Sequence, residues 1–112
     1  MGAPDDEPLL AMTTARGPGE VVTLVLAGEI DRSTAEQVVA AGTTVVAGNR
    51  NPRLVIDMAQ VRFMDSTGVH ALVRLQRLGR EAGVGVEVVN PSAVVARVLT
   101  VTGVFHVLVG AG

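Results

Sequence analysis

Short apolar runs separated by turn residues divide the chain into alternating strands and helices. Residues 21–26 are rich in β-branched side chains and predict a strand. The segment 9–15 before them predicts a first strand with a weaker signal. The turn cluster at 16–19 is short, so these two strands are expected to pair antiparallel. Residues 53–57 and 84–89 predict two further strands. The nearly continuous apolar character of 53–57 is typical of a strand buried on both faces.

The segments between and after these strands show helical periodicity and predict three helices. Ser33 and Glu36 fit a capping box for a helix over 33–47, which carries an apolar stripe at helical spacing. A second and stronger helix is predicted over 66–82. A third is predicted over about 90–102, with a proline that is tolerated in its first turn.

Strands that alternate with helices predict a mixed α/β sheet, antiparallel at its start and then parallel through βαβ crossovers, with helices packed on it. Residues 58–64 are expected to be a connector. The sheet has four strands, or five if residues 105–109 form a last short strand instead of an apolar tail. Residues 1–8 are acidic and rich in proline and predict a disordered tail. One domain is therefore expected over 9–112, a common domain size.

Composition narrows the range of functions. Phe63 and Phe105 are the only aromatic residues, so the core is expected to be aliphatic. The net charge is −2 and every basic residue apart from the histidines is arginine, which leaves no basic field for a nucleic-acid backbone. The absence of cysteine excludes disulfides and thiolate chemistry. No apolar run is long enough to span a bilayer and the N-terminus is unlike a secretory signal, so we expect a cytoplasmic protein without membrane contact.

Two polar clusters follow predicted strands and are candidates for chemistry. One spans 31–34 and the other spans 65–67, and Asp57 ends the strand before the second cluster. Because the loops after parallel strands gather at one edge of a sheet, these clusters are expected to meet in space. Helix capping alone would explain Asp65 and Ser66, since Asp and Ser are preferred at that position.

The second cluster also offers more than a cap. Three polar residues stand at one helix entrance, where a hydroxyl is accessible and a phosphate would meet free main-chain amides. Gly68 removes a side chain at this place and allows another backbone or a ligand to approach closely. From the residues alone, capping and a modifiable hydroxyl are both open interpretations.

Residues 54–69, LVIDMAQVRFMDSTGV, resemble the central signature of STAS domains, in particular that of bacterial anti-sigma-factor antagonists. Residues 28–31, followed by Thr34 and Ala35, resemble the family's second motif. Residues 90–103 resemble its third. The three motifs occur in the family's order and cover nearly the whole chain, although family members commonly carry a longer C-terminal helix.

The resemblance implies a phosphorylation switch. In this family a kinase-type anti-sigma factor phosphorylates the serine after the motif aspartate, which corresponds to Ser66, with Thr67 as a minor second acceptor. The unphosphorylated antagonist binds the anti-sigma factor and frees the sigma factor, the phosphorylated form lets go, and a phosphoserine phosphatase reverses the change. The implied partner-binding residues are Asp31, Thr34, Asp65, Ser66, Thr67 and Gly68.

The resemblance further implies that the chain binds no cofactor of its own. ATP and Mg²⁺ are expected in the partner kinase only, and the free protein is expected to be a monomer. A scaffold or sensor module of a larger signalling or transport assembly stays open as an alternative, because such a module needs protein contacts but no phosphorylation cycle.

Enzymatic and metal chemistry are less well supported by the residues. A hydrolase with Ser66 as nucleophile would need a base and an orienting acid, and the only histidines are His70 and His106. The segment also lacks the first glycine of the Gly-x-Ser-x-Gly elbow. No catalytic residue is therefore expected. The candidate ligands of a metal site would be Asp31, Asp57 and Asp65. No such site is expected, because the chain lacks the lysine that accompanies phosphoacceptor carboxylates.

Overall fold

The computed structural model of the protein describes residues 9–48 and 53–109. Predictions for residues 1–8, 49–52 and 110–112 lie outside this part of the chain. The described elements are β1 Leu10–Gly17, a 3₁₀ turn Pro18–Glu20, β2 Val21–Ile30, α1 Ala35–Ala47, β3 Arg53–Met64, α2 Ser66–Ala82, β4 Gly85–Val89, α3 Ala93–Val101 and α4 Phe105–Leu108. None of the helices in these ranges combines the length and apolar character needed to cross a membrane.

The described strands form one sheet in the order β1-β2-β3-β4. β1 runs antiparallel to β2, whereas β2 pairs with β3 and β3 with β4 in parallel. The predicted mixed α/β fold is thus confirmed. Because parallel crossovers are right-handed and both lead in the same direction across the sheet, α1 and α2 lie on the same face, where they pack against each other.

Burial alternates along the strands, so the hydrophobic core closes one face of the sheet. Leu54 and Ile56 of β3 are fully buried, whereas Val55 between them is partly exposed. The prediction that this strand is buried on both faces is therefore wrong. The core is aliphatic as predicted, since Phe63 is exposed and Phe105 only packs against the edge of the core.

β2 and β3 run well past their predicted ends. β2 continues to Ile30 and β3 to Met64, and the two pair along almost their whole length. The connector predicted at 58–64 is therefore wrong. Its buried residues recur every third position, at Met58, Val61 and Met64, because the β2–β3 register shifts twice. These shifts break the two-residue period by which a strand is normally recognised.

The start of α3 completes the edge of β3 beyond the end of β4. The main-chain N–H of Ser92 donates to the carbonyl of Met58 at 3.2 Å, and its hydroxyl donates to the carbonyl of Val61 at 2.6 Å. The same hydroxyl accepts from the N–H of Val95 at 3.3 Å and caps α3. Ser92 therefore satisfies strand carbonyls that β4 is too short to reach.

The segment after α3 is helical, so the strand considered for 105–109 does not form. α4 buries Leu108 in the core. The side-chain amide of Gln76 on α2 donates to the carbonyl of Val107 at 2.6 Å. A helical turn satisfies much of its own main chain, so the buried Leu108 and the hydrogen bond from Gln76 are enough to hold it. A fifth strand would need a neighbouring strand to pair with its main-chain groups.

Candidate functional site

The two predicted clusters meet where β2 and β3 end side by side. Ile30 pairs with Met64 in the parallel register, and the N–H of Asp65 donates to the carbonyl of Ile30 at 3.2 Å. Asp31 and Asp65 are thus the next residues of two adjacent strands. The expectation that the segments 31–34 and 65–67 share one edge of the sheet is confirmed.

The first cluster is held by its own side chains. The carboxylate of Asp31 accepts from the main-chain N–H of Ser33 at 2.8 Å and from its hydroxyl at 2.7 Å. The hydroxyl of Thr34 donates to the carbonyl of Glu29 and accepts from the N–H of Asp31, both at 2.9 Å. Thr34 is 3% exposed, so it ties the loop to the end of β2 from inside.

The capping box predicted for α1 does not form. α1 begins at Ala35, and no side-chain cap bonds its first amides. The hydroxyl of Ser33 turns instead to Asp31, and Glu36 pairs with Arg74 of α2 at 3.6 Å. Ser33 therefore positions the carboxylate of Asp31, whereas the sequence predicted that it caps α1.

The hydrogen bonds from Ser33 hold the pKa of Asp31 below the ordinary value of an aspartate, with its side-chain hydroxyl as the largest cause. Because the folded state favours the carboxylate, the stability that this group contributes is present above its unfolded pKa. It is lost as the pH falls through the lower folded pKa. Asp31 therefore stays ionised at neutral pH.

We expect Ser33→Ala to raise the pKa of Asp31 towards its ordinary value of about 3.9. The substitution removes the largest of the interactions that favour the carboxylate. Titration of side-chain carboxyl ¹³C shifts by NMR measures the change. Thr100→Ala, an exposed change on α3, is the matched control and should leave the Asp31 curve in place. An unchanged Asp31 pKa in Ser33→Ala would contradict the described geometry.

In the second cluster, the structure assigns helix capping and the accessible hydroxyl, the two open interpretations, to different residues. Asp65 is the N-cap of α2, and its carboxylate accepts from the N–H of Thr67 at 2.9 Å and from the Thr67 hydroxyl. The hydroxyl of Ser66 is exposed and forms no hydrogen bond with any described residue. Asp65 and Thr67 thus complete the cap between themselves, and Ser66 presents an uncommitted hydroxyl at the first helical position.

Thr34 and Gly68 are buried in the free chain, and the expectation that they contact a partner stays a prediction. Gly68 is buried, and a Cβ there would lie 2.5 Å from Cγ of Met64 and 2.9 Å from Cγ2 of Ile30. The missing side chain lets the first turn of α2 rest directly on the ends of β2 and β3. Both residues therefore shape the site from beneath.

Asp57 does not join the site. It lies within β3, level with the end of β4, and accepts from the side-chain amide of Asn90 at 3.2 Å. Seven residues of β3 follow it before Asp65, but only five residues of β2 separate its partner Val25 from Asp31, so Asp57 lies roughly 20 Å from the site. Within residues 9–48 and 53–109, no three carboxylate or imidazole groups are arranged as metal ligands.

Neither histidine forms a hydrogen bond with the Ser66 hydroxyl among the described residues. His70 is exposed on α2, one turn after Ser66, and His106 packs edge-on against Phe105 in α4 with ring centroids 5.7 Å apart. The site thus contains a hydroxyl and carboxylates without an assembled nucleophile–base pair.

Phe63 is a surface feature that sequence reasoning missed. Phe63 is 45% exposed and lies two residues before Asp65. Beside it, Arg62 pairs with Glu29 across β2 and β3 at 3.5 Å. Once residues 58–64 are recognised as a strand, the buried Met64 places its neighbour Phe63 on the opposite face. Because residues 58–64 were predicted to be a connector, the exposure of Phe63 was not predicted.

Comparisons with known proteins agree with this architecture. Residues 13–110 match a family model described as "Mlab, STAS domain". An anti-sigma factor antagonist from Mycobacterium paratuberculosis is 31% identical, with a TM-score of 0.72, over 96% of this chain and 87% of its own. The anti-sigma factor antagonist SpoIIAA, in its unphosphorylated form, is 26% identical with a TM-score of 0.72 over 83% of this chain and 81% of its own.

Two further structures mark the range of the similarity. The Bacillus cell fate determinant SpoIIAA in its phosphorylated form is 25% identical, with a TM-score of 0.67, over 83% of this chain and 84% of its own. The murine anion transporter Slc26a9 is 25% identical with a TM-score of 0.64, over 81% of this chain but 15% of its own. The family-model match and the fold agree with the family that the sequence motifs predict. The chain belongs to the STAS domain family.

Proposed function

We propose that the protein is an anti-sigma-factor antagonist controlled by phosphorylation of Ser66. The unphosphorylated form binds an anti-sigma factor that has serine-kinase activity, and binding releases the sigma factor. Phosphorylation of Ser66 by that partner ends the complex, and a phosphoserine phosphatase restores the active form. The relatives named as anti-sigma factor antagonists support this assignment.

The observation that carries the proposal is the uncommitted, exposed hydroxyl of Ser66 at the start of α2. In the reaction, the Ser66 oxygen attacks the γ-phosphorus of ATP bound to the partner kinase. The bond to Ser66 forms as the bond to the bridging oxygen of the β-phosphate breaks, and ADP leaves with that electron pair. The hydroxyl proton passes to a base of the kinase.

The surface around Ser66 suits a docked protein. Asp31 and Asp65 supply charge beside the hydroxyl, and Phe63 adds an exposed aromatic ring close to the same edge of the sheet. Aromatic residues are enriched at interfaces because they bury a large area with few rotatable bonds. Thr67 is the weaker phosphoacceptor, since its hydroxyl already donates to Asp65 and is half-buried.

The test is to incubate the protein with each candidate kinase-type anti-sigma factor, ATP and Mg²⁺, and to map the phosphate by mass spectrometry. We expect Ser66→Ala to abolish labelling while binding persists, because the methyl group keeps the shape of the surface. Thr67→Val is the matched control and should retain labelling at Ser66. Failure of every kinase that binds the protein to label Ser66 would refute the phosphorylation switch.

A scaffold or sensor module without a phosphorylation cycle is the alternative. The similarity to the transporter Slc26a9, of which the match covers 15%, favours it, because this fold also occurs as part of a much longer chain. The same labelling experiment separates the two functions. A module of this kind would bind its partner stably in the presence of ATP, whereas a switch would release it as label accumulates.

A further inference from the structure

A groove runs along α2 from Ser66 towards the C-terminal end of α3. Its volume is about 430 Å³, and Ser66 lines it together with His70, Arg74 and Arg77 of the same helix. Val104, which follows α3, lines the groove from the other side. The groove is therefore continuous with the phosphorylation site proposed above and extends it by three turns of helix.

The lining combines an apolar floor with a basic rim. Val73 and Val104 contribute partly exposed apolar surface, with the buried Val69 beneath it, and no acidic residue is among the described residues that line the groove. Arg77 forms no ion pair in the part of the chain described here. Arg74 reaches Glu36 of α1 at 3.6 Å, a solvent-exposed contact that a stronger partner can replace.

We propose that this groove binds an acidic amphipathic segment of the anti-sigma factor, and that phosphorylation of Ser66 displaces it. The inference rests on the proposed function and names the chemistry of the partner. Apolar side chains of the segment would cover the valine floor, and its carboxylates would pair with Arg74 and Arg77. The partner surface is then expected to be acidic along α2, opposite the basic rim.

Displacement follows from the position of Ser66 at one end of the groove. Residues four apart on a helix are neighbours, so a phosphate on Ser66 lies within reach of His70. The phosphate brings a charge of about −1.5 to −2 into a site that would otherwise attract carboxylates. It therefore competes for the basic rim and repels the acidic segment, in addition to its effect beside Asp31 and Asp65.

A protein segment explains the groove better than a nucleic acid does. The chain carries a net charge of −2, and the basic side chains of the groove form one short line on one helix. Nucleic-acid surfaces need a broad basic field and gain little from a valine floor. An apolar floor with charged rims is instead the pattern of a groove that receives an amphipathic helix.

The test uses a synthetic amphipathic helix of about four turns, with leucine on one face and glutamate on the other. A second peptide carries lysine in place of glutamate. ¹H–¹⁵N NMR of the unphosphorylated protein maps binding, and a single-stranded oligonucleotide serves as the competing probe. We expect shifts along the groove with the glutamate peptide alone. No shifts with that peptide, or tighter binding of the oligonucleotide at the groove, would overturn the inference.

Arg77→Glu and Arg80→Glu form the matched pair of variants. Both arginines are exposed on α2, but only Arg77 lines the groove. We expect Arg77→Glu to weaken the glutamate peptide about five- to tenfold and Arg80→Glu to change it less than about twofold. Equal effects would mean general charge attraction and would refute a specific groove.

The displacement step is tested on protein with phosphoserine incorporated at position 66 during translation. Phosphoserine should abolish the groove shifts caused by the glutamate peptide, and unaltered peptide binding would refute displacement. These peptide results do not depend on finding a kinase. Absence of groove binding by the unphosphorylated protein would therefore overturn this inference and leave the labelling result unaffected, while absence of Ser66 labelling by bound kinases would overturn the proposed function.

Discussion

Phosphorylation of Ser66 is expected to weaken binding to the kinase-type anti-sigma factor about a hundredfold, or roughly 3 kcal/mol. The phosphate brings its charge beside Asp31 and Asp65, which stand at the ends of adjacent strands. In the free protein, water and the N-terminal end of α2 stabilise the added charge. In the complex, the same group must lose water next to two carboxylates, so the bound state is the one that is destabilised.

Calorimetry or surface plasmon resonance with defined protein forms measures this effect. The forms are unmodified protein, protein with phosphoserine at position 66, Ser66→Ala and Ser66→Asp. Ser66→Ala should bind within a few-fold of the unmodified protein, and Ser66→Asp should fall between it and phosphoserine, because aspartate has less charge and volume than phosphate. Equal affinity of the phosphorylated and unmodified forms would contradict the switch, whatever the kinase does in a labelling assay.

Gly28→Ala is expected to lower the free energy of unfolding by about 3 kcal/mol. Gly28 has a φ of +127°, a conformation that side chains with a Cβ rarely adopt. A Cβ at this position would also lie 2.1 Å from the carbonyl oxygen of Leu9, a backbone atom that cannot turn away. The same carbonyl accepts from the N–H of Glu29 at 2.9 Å, so the clash would push the beginning of β1 away from the site.

Gly17→Ala is the matched control in the same pair of strands. Gly17 has extended backbone angles, and a Cβ there meets its nearest atom, the carbonyl oxygen of Val21, at an ordinary 3.9 Å. We expect its effect to stay within about 0.5 kcal/mol. Urea unfolding followed by circular dichroism compares both variants. Equal midpoints for Gly28→Ala and the unmodified protein would show that β1 does not approach Gly28 as described.

The elements with a clean period were predictable from local physics. α2 begins and ends where its helical spacing and its capping residues predict, over Ser66–Ala82. β3 was predicted only over its first half, because its apolar positions lose the two-residue period beyond Asp57. The extension exists because β2 is long enough to pair with it up to Met64. Pairing between distant segments leaves no signature in either segment alone.

The candidate site shows the same division. Asp31, Asp65 and Ser66 were identified from motif resemblance and from their places after strands, and the structure brings them to one edge. Thr34 and Gly68 were identified as well, but only the structure shows them as buried supports. Exposure depends on which neighbouring elements cover a residue, and those elements come from elsewhere in the chain.

By itself, the sequence determined the alternation of strands and helices, the aliphatic character of the core, and the residues at the entrance to α2. These features depend on side-chain type and on contacts between near neighbours in the chain. Tertiary structure alone decided that one face of the sheet is closed and that a basic groove continues from Ser66. Each of these depends on the distance between segments that only packing brings together, and local propensity does not encode that distance.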